Sequence, residues 1–562
     1  MAFDAIVIGS GMSGGWAAKE LTERGLKVLV IERGKHIEHG ADYTDSLSPW
    51  ELSNYGMVSE DEIDADYPVQ SRCYAFSTAT KHLWVKDSDH PYTTPADKPF
   101  LWIRGYHLGG RSIMWARQSY RLSEMDFESN KKDGYGVDWP IRYADMAPWY
   151  DHVETFAGIS GEADGLAQLP DGKFLPPMAL TPPEIEFGRK LEASFPGRKM
   201  ITGRCAHLTQ PTKVHEDLGR TACQYRSLCE RGCSYGAYFS SLSATLPAAR
   251  NTGNLTVVTD AIAHSIVQDP KTGKAIGVRV IDAKTKVGSV HEGRMIFLCA
   301  STLGTAQIML NSRSDAFPTG IANSSDQVGR NLTDHLSGIG ASGIYPGHDD
   351  IYHHGRRPNG FYIPRYRNVS EAGDGYVRGY GFQGGVMREG WQRGMYAPGV
   401  GADLKTRMRR PGPWRLSLGG FGEMLPRPEN RITLSETNRD KWGIPIPHID
   451  VGLGDNDKAM IAQASQDAKE MLELAGCTDI SVRKHYGGVG LGIHEMGSAR
   501  MGHDPATSVV NKFNQAHDVP NLFVTDGACM TSSGCQNPSL TYMAMSARAA
   551  HHAVAFMKED KI

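Results

Sequence analysis

The stretch FDAIVIGSGMSGGWAAKELTERGLKVLVIERG, residues 3–34, decides the fold. Ala5 to Ile8 is an apolar run of strand length. Gly9, Gly11 and Gly14 follow in G-x-G-x-x-G spacing. Trp16 to Arg24 reads as a helix with Ala17, Ala18 and Leu21 on its apolar side. Val28 to Ile31 is a second buried strand, and it ends in Glu32. Strand, glycines, helix, strand and acid in this order form one βαβ unit for a dinucleotide. The glycines give a tight turn, close approach to a pyrophosphate and close helix packing. The helix N-terminus faces the phosphates, and Glu32 stands where an acid accepts from an adenosine ribose. A glycine-rich turn with no nucleotide is the competing reading, and the complete order argues against it.

The rest of the chain is read around that unit. Its 562 residues are too many for one ordinary core, so two large domains are expected. Apolar residues make up 40% and charged residues 22%, a globular composition. The net charge of −3, with no basic tail or stripe, argues against a nucleic-acid partner. No apolar run reaches the roughly 18–20 residues a bilayer crossing needs. The N-terminus shows no charged–apolar–cleavage pattern. The expectation is a chain without its own export signal, either cytoplasmic or exported with a signal-bearing partner. Nine cysteines are too few for a disulfide framework. Cys73, Cys205, Cys299, Cys477, Cys529 and Cys535 are scattered and read as buried small apolar residues.

Residues 35–100 lack periodicity and read as an excursion or lid. RGYHLGGRSIMWARQSYR, residues 104–121, places Gly109 and Gly110 before Ser112, backbone suited to lie against a flat cofactor. Helical periodicity is read after Pro148, between Pro183 and Ser194, from Leu303 to Leu310 and over 457–475. LTVVTDA, HSIVQD, AIGVRVID and RMIFLCA are short strands between residues 255 and 300. FYIPRY, GYGFQGGVM, WRLSLGGFGEML, NRITL and PIPHIDV predict one antiparallel sheet of a separate domain. The chain ends with HEMGSARMG from 494, NLFVTDGACM from 521, and a helix opening at Pro538.

Taken together, GSGMSGG with Glu32, LGGRS, CASTLGTAQIML, VGRNLTDH, HEMGSARMG, VTDGA and NPSLT resemble the glucose-methanol-choline (GMC) oxidoreductases along nearly the whole chain. The resemblance implies an α/β plus antiparallel β fold, a Rossmann-like FAD-binding domain with a discontinuous substrate domain. The FAD-binding domain would take residues 1–45, 100–135, 205–335 and 486–562, including a cysteine segment at 220–236. The substrate domain and lid would take 46–99, 136–204 and 336–485. FAD contacts are implied at Gly9, Gly11, Ser13, Gly14, Glu32, Arg33, Gly109, Gly110, Ser112, Val258, Ala300, Asp526, Gly527, Pro538, Ser539 and Leu540. Met114 stands where some relatives attach FAD through histidine, so non-covalent FAD is expected.

Oxidising an alcohol needs a base for the hydroxyl proton beside a hydride acceptor. Histidine suits that proton. The resemblance gives the role to His494 and the partner position to Asn537, while His335 in NLTDH reads as structural. Cys223, Cys229 and Cys233, spaced C-x5-C-x3-C, can converge on one inorganic centre. Zinc would want a fourth ligand and C-x2-C spacing, which His215 upstream does not supply. Three buried thiols without a metal are the bland alternative. The spacing resembles that of the bacterial sugar dehydrogenases that carry a [3Fe-4S] cluster.

The closest branch looks like the bacterial sugar dehydrogenases, and within it the chain looks most like the glucoside 3-dehydrogenases. They imply a sugar or glycoside substrate oxidised to a ketone, a cytochrome c-type acceptor, and a small signal-bearing subunit carrying the flavoprotein to the periplasm. Contact with a membrane would come only through these partners. A glucose-, gluconate- or fructose-type dehydrogenase, an oxidase using dioxygen, a lyase and a scaffold subunit are the alternatives.

Overall fold

The structure is a computed structural model. It describes residues 3–351, 359–370, 373, 375–390, 393–394, 397–484, 488–559 and 561–562. Among the described residues fifteen strands run in chain order: β1 (Phe3–Ile8), β2 (Val28–Ile31), β3 (Ile201–Thr202), β4 (Leu255–Val258), β5 (Ala261–Gln268), β6 (Ala275–Asp282), β7 (Gly288–Leu298), β8 (His335–Tyr345), β9 (Phe361–Ile363), β10 (Tyr380–Arg388), β11 (Trp414–Glu423), β12 (Arg431–Arg439), β13 (Pro445–Asp450), β14 (Thr478–Arg483) and β15 (Leu522–Val524).

The first sheet runs β4-β2-β1-β7-β6-β5, with β15 also on β7. β1 lies parallel to β2 and β7, with Ala5 opposite Val28 and Met295. Parallel strands buried on both faces need continuous apolar sequence, and Ala5 to Ile8 and Val28 to Ile31 are all buried. β5, β6 and the start of β7 form an antiparallel meander. The helix Met12–Glu23 returns the chain from β1 to β2. Its approach is set by two glycines. A Cβ on Gly14 would stand 1.8 Å from the carbonyl oxygen of Gly9, and one on Gly9 would stand 2.3 Å from that of Cys299. Gly9 also has φ +98°, where a side chain is strained.

The same helix carries Glu20, whose carboxylate is buried. It accepts from Lys19 at 3.0 Å and Arg24 at 2.8 Å. It also bonds His152 at 2.7 Å and His551 at 3.1 Å. Burial pushes the Glu20 pKa upward, but the His152 bond and Lys19 outweigh it and hold the group at about 2. One carboxylate thereby joins the first helix to Tyr143–Ala157 and to the last helix, Ser539–Lys558.

The second sheet is antiparallel, in the order β14-β8-β11-β10-β9-β3. The long helix Asp455–Leu474 buries Met460, Ala464, Ala468, Met471 and Leu472 in the core of this unit. Three expectations are corrected. β12 and β13, expected in this sheet, form a separate two-stranded ribbon, bridged at His448 by Thr93. Their ribbon lies on the dinucleotide side, where Gln307 donates to the Pro445 carbonyl at 3.0 Å and Trp442 to that of Ala283 at 2.9 Å. The helix expected after Pro148 begins at Tyr143 and keeps Pro148 inside it. Among the scattered cysteines, Cys477 is half-buried and the other five are buried.

Gly14→Ala should push the first helix off β1, at the cost of about 1–3 kcal/mol that overpacking carries. A lower thermal unfolding midpoint for the variant is the expected reading.

Candidate active site

A cavity of about 360 Å³ runs between the two sheets. Gly9, Gly11, Ser13, Glu32 and Arg33 line it, as do Gly110, Ser112, Ala300, Asp526 and Gly527. His494, Asn537 and Ser539 line it too. The nucleotide motif and the C-terminal motifs thus share one cavity, of a size that dinucleotide-scale ligands use.

Five expected contacts are not in the lining, each for a local reason. Gly14 is pressed on Gly9. Gly109 turns its amide to Ser10 Oγ at 2.8 Å. Val258 ends β4, where its carbonyl accepts from the Glu32 amide at 2.8 Å. Pro538 caps the last helix, and Leu540 is buried in the core.

Glu32 accepts from the Ser10 amide at 3.1 Å, the Ser10 hydroxyl at 2.5 Å and the Gly34 amide at 2.8 Å. A carboxylate has roughly four acceptor sites, so one is left for a ribose hydroxyl. Burial raises the Glu32 pKa against the pull of these bonds. Gly11 leaves the cavity wall bare, since the nearest atom to a Cβ there is 4.0 Å away. These residues fit a flavin dinucleotide.

At the other end the side chains form a directed chain. His335 Nε2 lies 3.0 Å from the Gly534 carbonyl, which can only accept, so the ring donates there. A neutral imidazole carries one proton, and His335 Nδ1 is therefore an acceptor. It faces His494 Nδ1 at 2.9 Å, which must donate. The remaining nitrogen, His494 Nε2, is left with a lone pair, 3.3 Å from Asn537 Nδ2. Gln383 in β10 donates to Asn537 Oδ1 at 2.5 Å and so turns the Asn537 amide nitrogen toward His494. Burial, then His335 and Arg111, push His494 well below the usual histidine value. It is a neutral base with its acceptor nitrogen on the cavity.

The backbone that presents this ring is strained. Ile493, a β-branched residue, has φ +58°, a conformation that costs about 1–3 kcal/mol. Asp334 overrules the strain by accepting from the amides of Gly490, Gly492 and His494 at 3.0, 2.9 and 2.9 Å. Burial first and Glu495 second push Asp334 up to about 7. Arg111 pairs with Glu495 at 3.1 Å on the same wall. Asp334, His335 in its contact with His494, the bond of Gln383 to Asn537, Phe421 and Arg111 were not found from sequence. The NLTDH motif was the one available signal, because two polar residues precede a Gly-rich strand there.

The cysteines lie elsewhere. Cys223, Cys229 and Cys233 line one small cavity together with His207 and Tyr238. His215 is not in its lining. Buried Asp45 shapes this loop by accepting from Arg226, from the Ser234 amide at 3.0 Å and from the Ser234 hydroxyl at 2.7 Å. Among the described residues, no three His, Cys, Asp or Glu side chains are gathered about a single-ion position. The cavity the three thiols share measures about 20 Å³, room for about one water.

Nitrogen-15 NMR of the histidine rings should report His494 as the Nδ1–H tautomer. His335→Phe should turn it into a mixture.

The sequence patterns of the GMC oxidoreductases match residues 3–337 and 426–546. The chain is similar to the fructose dehydrogenase large subunit of Gluconobacter japonicus, at 26% identity with 97% of each chain covered. It is 29% identical to the 2-methyl-1,2-propanediol dehydrogenase of Mycolicibacterium austroafricanum, over 97% of this chain and 94% of that one. In fold it is similar to the formate oxidase of Aspergillus oryzae, with a TM-score of 0.63, 14% identity and 99% of each chain covered. The chain belongs to the GMC oxidoreductase family, FAD-binding enzymes that act on CH–OH groups.

Proposed function

We propose that this chain is a dehydrogenase that oxidises a secondary hydroxyl of a sugar or glycoside, the 3-hydroxyl of a glucoside, to a ketone. The observation that carries the alcohol chemistry is the oriented lone pair of His494 Nε2 at the end of the dinucleotide cavity. FAD, held non-covalently, supplies the hydride acceptor. Asn537 Nδ2 donates to the substrate oxygen and holds the hydroxyl toward His494. His494 Nε2 takes the hydroxyl proton while its Nδ1 proton stays on His335. The N-terminus of Ser539–Lys558 places positive potential where negative charge develops. Gln383 and Phe421 offer a polar and an apolar face to a sugar ring.

Cys223, Cys229 and Cys233 would hold a [3Fe-4S] cluster, which supplies one-electron chemistry. Export of electrons to a cytochrome c-type protein, and passage to the periplasm with a small signal-bearing subunit, belong to the same reading. The similarity to a fructose dehydrogenase large subunit supports it.

The test is anaerobic bleaching of the flavin by a panel of methyl glycosides, with product analysis by NMR. A 3-keto product is expected, and His494→Ala should slow bleaching about 10²–10⁴-fold. Bleaching by no sugar, or a variant as fast as the parent, would overturn the reading. Fast reoxidation by dioxygen in a protein free of iron would make it an oxidase.

The pH profile follows from the burial of His494. Its neutral form persists far below the usual value near 6.5, so a break in bleaching near pH 7 should report Asp334, not His494, and vanish in Asp334→Asn. Loss through protonation of His494 should come at lower pH.

A further inference from the structure

Arg33, Tyr106 and Ile444 line the dinucleotide cavity along with Glu32. Arg33 follows the ribose acid directly, and Ile444 belongs to the turn between β12 and β13. The Arg33 guanidinium lies against two rings, 4.8 Å from Tyr106 and 5.4 Å from Trp442 in that turn. His90 stacks on Trp442 at 5.2 Å and meets Tyr106 edge-on at 4.9 Å. Its Nδ1 accepts from Arg33 at 3.3 Å. Three rings and one cation, from four places in the chain, thereby form one packed group. Its inner members face the cavity, and Trp442 and His90 pack on them from outside the lining.

One carboxylate ties the turn to this group. Asp440 Oδ1 accepts from the amides of Trp442 and Ile444, both at 2.9 Å, and so folds the turn. Its Oδ2 stands 3.6 Å from Arg33 Nη2. The residue that shapes the turn is therefore also the counter-charge of a cation in the cavity wall. Ordinary packing accounts for a tryptophan on a surface ribbon, but not for this double use of Asp440.

The ribbon is held differently at its two ends. At its base, backbone bonds join Ile432 to Gly329 at 2.8 Å and Ile449 to Thr93 at 2.9 Å. Near the turn, the ties run through side chains. Trp442 donates to the Ala283 carbonyl at 2.9 Å, Gln307 donates to that of Pro445 at 3.0 Å, and Lys441 pairs with Asp89 at 2.9 Å. A two-stranded ribbon by itself is marginal in water, so the seat of the turn depends on these contacts. Cation–ring contacts of this kind are individually modest, and a group of them can open and reclose. Lifting the turn would remove Ile444 from the lining and leave Arg33 without its carboxylate.

We propose that the β12–β13 turn is a strap over the adenosine end of the dinucleotide cavity, and that Trp442 and Asp440, by seating Arg33 in the wall, slow the release of FAD. The inference rests on the flavin of the family and stands apart from the proposed sugar and from the cysteines. Trp442 and Asp440 are positioning residues that act through Arg33.

The experiment follows FAD release from the holoenzyme by the rise of flavin fluorescence after dilution. Trp442→Ala should release FAD at least tenfold faster than the parent. Trp442→Phe, which keeps a ring over Arg33, should stay within about threefold of the parent. Asp440→Asn, which keeps an acceptor for the turn and loses the ion pair, should fall between the two. Unfolding midpoints with and without FAD separate a strap from general weakening, because a ligand stabilises by what it binds to the folded state. The gain in midpoint given by FAD should shrink in Trp442→Ala, with the FAD-free midpoint close to the parent's. Release at the parent's rate in Trp442→Ala, or an equal acceleration in Trp442→Phe, overturns the inference. So does a midpoint that falls as far without FAD as with it. Should Trp442→Ala retain no FAD, its recovery in Trp442→Phe reads the same need for a ring, and failure of both overturns the inference.

Discussion

The architecture depends on how closely one helix can approach one strand. Where Gly14 meets the Gly9 carbonyl, no side-chain atom fits. Because the helix lies that close, its N-terminus opens on the ends of β1 and β7, and the loop after β1 can border the cavity. Everything placed around the dinucleotide follows from that approach. Ser10 bonds Glu32 and receives the Gly109 amide, so one serine joins the first loop, the acid and the LGGRS turn.

At the far end the constraint is electrostatic and directional. A carbonyl that can only accept fixes one imidazole, which fixes the next. Asp334 grips the loop and His335 orients the ring, so two adjacent residues serve the same base by different means. Gln383 enters from the other sheet, and the substrate strands thereby help to aim Asn537.

Legibility in the sequence followed the range of the physics. The βαβ unit is local, and its glycines, helix and acid stand in the sequence in the order they take in space. His494 and Asn537 were reached through resemblance, because nothing near either residue marks it. The roles of Gln383, Phe421 and Arg111 could not be found, since only strand register and loop packing bring them to the site. β12 and β13 were assigned to the wrong sheet because alternating apolar residues record a buried face and not the partner that covers it. Pro148 misled in a similar way, since a helix held by packing tolerates a lost hydrogen bond. β8 was obscured by the glycines and serines of HLSGIGASGIY, which carry little strand propensity.

The pairing of β15 with β7, and of the last helix with Glu20, bears on how the molecule comes into being. β1 and the first helix are synthesised at the outset, yet the strand and helix that cover them lie beyond residue 520. The first domain is therefore closed by the end of the chain. Contacts of such long range make folding slow and expose apolar surface in the interim. A nascent chain lacking its last segment has a βαβ unit with one side open. Flavin capture, which needs Asp526 and Ser539 in the wall, then becomes a late event of assembly.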